Sequence, residues 1–170
     1  MILVDRRAPT APPRVEEGIW SQTWTFEGQL PGPDPLSEAF LAAMSSTLSN
    51  YFREAAIEGA LRSIGYRLLA RLESDGFSAR GTWHEALVAV VDYLATRGVA
   101  RSVRLELRND CFVLSALDLV SAVDPGTTVP LSPLPAAALA AVSRAGIKVA
   151  IVECALREDG AFSMECRLVG

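Results

Sequence analysis

Histidine is almost missing from this chain: His84 is the only one, and Lys148 is the only lysine beside 15 arginines. A catalytic relay or metal centre built on imidazole therefore has one side chain to draw on. His84 has no Ser, Cys or Asp at motif spacing, and its place at a helix start predicts an exposed ring. The three cysteines, Cys111, Cys154 and Cys166, form no Cys-x-x-Cys pair. With no secretory signal beside them, they point to reducing, cytoplasmic surroundings. No apolar run approaches the roughly 20 residues that a membrane-spanning helix needs. Isolated glycines exclude a Gly-rich phosphate loop, and Gly-x-Ser-x-Gly and His-Glu-x-x-His do not occur. The net charge is −4 and the arginines are scattered among acids, which argues against nucleic acid as a partner. Nothing in this set implies a cofactor.

What is present is apolar material. Half of the 170 residues are hydrophobic, many of them Ala, Leu and Val, and a chain of this length buries roughly 70% of its unfolded surface as one domain. That surplus fits a helix-rich core, an interface with a partner, or an apolar pocket.

Prolines at 9, 12, 13, 31, 33 and 35 mark residues 1–33 as an N-terminal arm, with a single domain over 34–170. Within the arm, Trp20, Gln22, Trp24 and Phe26 alternate with Ile19, Ser21, Thr23 and Thr25, the period of an extended strand. Its aromatic side, Trp20, Trp24 and Phe26, must be covered. Either the arm clips onto its own domain or it reaches a partner subunit.

Asp34-Pro35 reads as the start of a helix through Phe40, Leu41, Met44 and Leu48. A longer helix follows over 50–72, with its apolar residues on one stripe, and is expected to be the central beam of the domain. Gly76 suits its C-terminal cap. Thr82 and Glu85 form a capping box before the stripe Trp83, Leu87, Val90, Val91 and Leu94. Then comes a hairpin, Val103–Leu107 and Cys111–Leu117, turned at Asn109-Asp110. Ser132 caps a further helix with Pro133 in its first turn. The chain closes with a second hairpin, Lys148–Leu156 and Phe162–Val169. Its first strand has an ambiguous inward face, either Val149/Ile151/Glu153 or Ala150/Val152/Cys154. The fold class is thus α+β: an antiparallel four-stranded sheet of two hairpins, packed on one side by about four helices, with the extended arm.

Cys154 and Cys166 sit on neighbouring strands, each directly preceded by a glutamate. They are core thiols or part of a soft metal site whose third ligand would have to be Cys111.

From about residue 50 to 169 the chain resembles the 4-vinyl reductase-type small-molecule-binding domain, a relative of the TRAPP trafficking subunits. The likeness rests on Phe52-x-x-Ala55-x-x-x-Gly59-Ala60-Leu61-x-x-x-Gly65. It rests further on VRLELRNDCFVLSAL, on the Ala-rich helix to Gly146, and on IKVAIVECALREDGAFSMECRLV. Zinc-binding members carry a Cys at the start of the helix before the final hairpin, where this chain has Leu131-Ser132-Pro133, so the family zinc site is not expected. The resemblance implies a helix-mediated homodimer or a subunit of a larger complex, and an apolar cavity between helices and sheet. That family includes sensory domains for aromatic compounds and proteins tied to bacteriochlorophyll synthesis, so the ligand it implies is hydrophobic.

The function expected is a non-enzymatic binding or assembly module. Its pocket for a hydrophobic small molecule would be lined by Phe52, Ala56, Leu105, Leu114, Val152 and Met164. The alternatives are a protein-interaction scaffold without a ligand, and an enzyme or accessory factor acting on a tetrapyrrole-like substrate.

Overall fold

In the first described segment, large aromatics alternate with Ser and Thr, and the chain runs extended as β1 (Trp20–Thr25). The computed structural model describes residues 18–30, 40, 43, 57–120, 132–157 and 159–169. The remaining elements are α1 (Ile57–Ser74), α2 (Trp83–Ala95), β2 (Ser102–Leu107), β3 (Cys111–Leu117), α3 (Pro133–Arg144), β4 (Lys148–Leu156) and β5 (Phe162–Val169). The class is α+β with an antiparallel sheet, as the alternation predicts. The sheet has five strands rather than four, in the order β1-β2-β3-β5-β4, and three helices are seen among the described residues. Phe40 and Ala43 are helical and buried. The rest of the helix expected from Pro35 through Leu48, and the first turns of the one expected from residue 50, lie outside the described residues.

The fifth strand is the expected arm. β1 pairs antiparallel with β2, Trp20 opposite Leu107 and Trp24 opposite Val103. Phe26 extends the pairing by donating its N–H to the Arg101 carbonyl at 2.9 Å. Trp24 is buried and donates its indole N–H to Asp92 Oδ1 of α2 at 2.9 Å. Over residues 18–30, therefore, the aromatic side of the strap lies on its own domain.

Both hairpins form with the expected strands. Across β2, β3 and β5 the inward residues are Val103, Leu105, Leu107, Phe112, Leu114, Ala116, Phe162, Met164 and Cys166, all buried. On β4 the ambiguity resolves in neither expected way. A register shift between Ile151 and Glu153 places an extra residue in the strand, so Val149 and Ile151 face the core before it and Cys154 and Leu156 after it. The physical reason is Glu153. Strict alternation from Val149 would drive that carboxylate into an apolar layer, at several kcal/mol. The bulge keeps it outside without losing the inward residues on either side.

The helix buried on all sides is α3, not the long one. Every residue from Pro133 to Val142 is buried, and α3 packs on α1, α2 and β4. A helix with no polar face belongs inside, and the run from Pro133 to Val142 contains no polar side chain. α1 packs chiefly on α3, so the expected central beam is an outer helix. It reaches the sheet through the Arg62 guanidinium, which donates to the Val149 carbonyl of β4. Ser132 departs from its expected role as well. It occupies the N-cap position of α3, but its hydroxyl makes no capping bond and donates instead to the Val120 carbonyl at 2.6 Å. The capping box of α2 is present in full, with Glu85 accepting from the Thr82 N–H at 2.8 Å.

The closeness of α1 and α3 rests on Gly65. A Cβ there would land within contact distance of the Ala136 carbonyl oxygen, 2.7 Å from its carbon and 2.9 Å from Ala140 Cβ. Gly59, exposed on the same helix, has nothing within 4 Å of such a Cβ among the described residues. The two glycines therefore respond oppositely to alanine. Gly65→Ala destabilises by about 1–3 kcal/mol through overpacking, against a helix-propensity gain of roughly 1 kcal/mol. Gly59→Ala keeps only that gain and raises stability. Thermal melts of the two variants beside the parent chain check this, at about 2–4 °C per kcal/mol.

Candidate functional site

The expected pocket residues divide between the two faces of the sheet. Leu105, Leu114 and Met164 stand in one register row on the helix-covered side, continued by Gln22 on β1 and Cys154 on β4. The first three have no exposed surface and belong to one continuous core cluster. Val152 is a correction: it is 53% exposed on the opposite face, because alternation from the inward Val149 and Ile151 turns it outward, and the bulge that follows adds Glu153 to the same face. Phe52 and Ala56 lie outside the described residues.

The three cysteines are free thiols. Cys154 stands opposite Met164 and Cys166 opposite Ile151, so each faces an apolar partner. Burial pushes the Cys154 thiol up to about 11. Burial and the neighbouring Asp110 charge raise Cys111, which lies on the other face of the sheet. Metal binding needs thiolate, and these surroundings favour thiol. Among the described residues no group of three or more His, Cys, Asp or Glu is placed to hold a metal ion.

His84 is also a correction. It is 8% exposed, its ring stacked on Trp83 with centroids 3.6 Å apart. Burial lowers its pKa, with the Glu85 charge acting in the opposite direction. The reason is the neighbour: Trp83 packs toward Phe112 of the core and carries the imidazole with it.

The open face of the sheet is not among the sites expected from the sequence. Its side chains form ordered rows. Glu106, Val113, Glu165 and Glu153 share one row across β2, β3, β5 and β4. The next row on one side holds Arg104, Ser115, Ser163 and Ala155, and the row on the other side holds Cys111, Arg167 and Ala150. An acidic stripe thus runs between arginines. Glu106 is paired with Arg108 at 2.6 Å and more loosely with Arg104 at 3.8 Å, and Glu165 approaches Arg167 at 3.7 Å. Glu153 and Glu165 stand directly opposite each other, a like-charge pairing that costs stability in a sheet. Val152, Leu117 and Val169 add apolar surface, each more than half exposed.

No protein-family model matches the chain, and no curated protein does either. No helix among the described residues is long and apolar enough to cross a membrane.

Two outcomes follow. Native protein at pH 7.5 is expected to alkylate at Cys154 on the order of a hundredfold more slowly than urea-unfolded chain, because so little thiolate is present. Iodoacetamide labelling with peptide mass spectrometry measures it. For His84, the folded pKa lies below the ordinary 6.5, so the unfolded state binds the proton first. The stability this imidazole contributes is complete above about pH 6.5 and declines as pH falls toward the lower folded value. Urea midpoints at pH 7 and 5.5 should converge more closely in His84→Gln than in the parent.

Proposed function

We propose that the chain is a non-enzymatic assembly module that associates with a second copy of itself through the open face of its sheet. The observation that supports this is the striped charge on that face. A second copy turned about a two-fold axis between rows would set its Glu106–Glu165–Glu153 stripe over Arg167 and Arg108 of the first, as an isologous contact requires. Val152 and Val169 would lose water at the same time, at roughly 25 cal/mol per Å². Pairing with arginines of the other copy would also relieve the Glu153–Glu165 repulsion.

A second reading keeps the hydrophobic ligand. Its support is the row Leu105, Leu114 and Met164 on the helix-covered side of the sheet, an apolar surface of the kind that a hydrophobic ligand needs. In that reading the chain is a 4-vinyl reductase-type binding domain, and a tetrapyrrole-like molecule is one occupant.

Sedimentation velocity separates the two. Arg167→Glu and Glu165→Arg are each expected to weaken self-association about tenfold or more, a loss of roughly 1.4 kcal/mol. A mixture of the two variants should restore it, and raising the salt should weaken the parent. A parent chain that stays monomeric over a wide concentration range refutes the dimer. A lipid- or pigment-sized adduct in native mass spectra would establish the ligand reading instead.

A further inference from the structure

Away from the sheet, the outer side of α2 and the loop after α1 enclose an open groove of about 390 Å³. Its floor is Val88 and Ala89, its wall Phe77 and Tyr93, and its two charged groups are Glu85 and Asp92. Positions 85, 88, 89 and 92 share one helix face. The two carboxylate positions are seven residues apart, about 10 Å along the axis at 1.5 Å per residue, with apolar side chains between them.

Each carboxylate is held in place without being neutralised. Asp92 Oδ1 accepts from the Trp24 indole N–H at 2.9 Å, and Glu85 Oε2 accepts from the Thr82 amide at 2.8 Å. Both donors are uncharged. Among the described residues neither acid is in an ion pair. Arg97, beside Tyr93, is engaged elsewhere: its guanidinium lies 3.3 Å over the Tyr93 ring and donates to the Tyr93 carbonyl. The ring of Phe77, 4.7 Å from that of Tyr93, extends the apolar wall.

We propose that this groove binds a linear aliphatic diamine or polyamine. One ammonium sits on Asp92 and another on Glu85, and the methylene chain between them lies on Val88, Ala89 and Phe77. The complementarity has three parts. Two fixed anions at the groove's length select a cation at each end of the ligand. The apolar floor favours methylenes over a hydrated linker. The open side of the groove admits a flexible chain without any opening of the fold. Charge-assisted hydrogen bonds of this kind are the stronger ones, but in a solvent-open groove they are screened, so binding is salt-dependent.

Spermidine is the probe, titrated into the full chain at low salt. Binding is read from backbone amide NMR shifts over residues 77–93 and from the fluorescence of Trp24, whose indole is bonded to Asp92. Saturable binding is expected, with shifts centred on Glu85, Val88, Ala89 and Asp92. Asp92→Asn keeps an oxygen acceptor for Trp24, and Glu85→Gln keeps the capping box, so both variants should fold. Each is expected to weaken binding at least fivefold, and the double variant to abolish it. Glu27→Gln, which removes one negative charge outside the groove, should leave binding unchanged. Butylamine, with one charge, should bind at least tenfold more weakly than spermidine. The proposal is overturned by the absence of saturable binding, by equal weakening in Glu27→Gln, which would mean attraction to net charge alone, or by butylamine matching spermidine. None of these outcomes bears on self-association through the sheet.

Discussion

The fold turns on how closely two helices can approach. α3 lies in the middle of the molecule because its buried run carries no polar side chain and half of that run is alanine, and α1 can lie on it because Gly65 has no side chain. At that crossing, backbone meets backbone, with the Ala136 carbonyl filling the space where a Cβ would be. The other elements take their positions from this contact. α2 packs on another side of α3 and against β1 and β2, while the C-terminal hairpin meets α3 through β4. The Arg144–Glu73 pair links the far ends of the two helices. Small side chains at a helix crossing gain little hydrophobic area individually, but they allow packing at interior density.

The parts of this arrangement written in local chemistry were legible in the sequence. The capping box of α2 and both hairpins depend on residues within a few positions of one another, and they fold as the pattern predicts. Legibility stops where one segment meets another. The extended character of 19–26 could be read, but its partner, β2, lies more than 70 residues further along. The bulge in β4 is a compromise between two registers, each correct for half of the strand, and period-two reasoning must choose one. α3 was readable as a helix. Its central place was not recognised, because alanine is weakly hydrophobic and the stripe of the long helix is more conspicuous.

The candidate sites show the same division. Leu105, Leu114 and Met164 share one inward row, and alternation alone sets their face. Val152 faces out by alternation from Val149 and Ile151, whereas counting back from Cys154 across the bulge would turn it inward. His84 was expected in water, as helix starts usually are, and lies instead against Trp83. The charged rows of the open face could have been found by laying the two hairpins side by side. Their alignment, though, needs the β3–β5 pairing, which no local pattern contains. Asp92 and Glu85 share a helix face in the sequence itself, but the wall supplied by Phe77 and the clamp from Trp24 exist only once the loop and β1 are in place.

The irregularity in β4 has a consequence for solubility. β4 is an outermost strand of the sheet, and a long, flat, apolar border strand is a template on which another chain can build. Here the border is bent by the bulge, carries Lys148 at one end and Glu153 at the distortion, and has the Val149 carbonyl engaged by Arg62. The device that keeps a carboxylate out of the core also makes this border a poor seed for amyloid-like stacking. Copies of the chain that meet are thereby directed away from strand addition along β4.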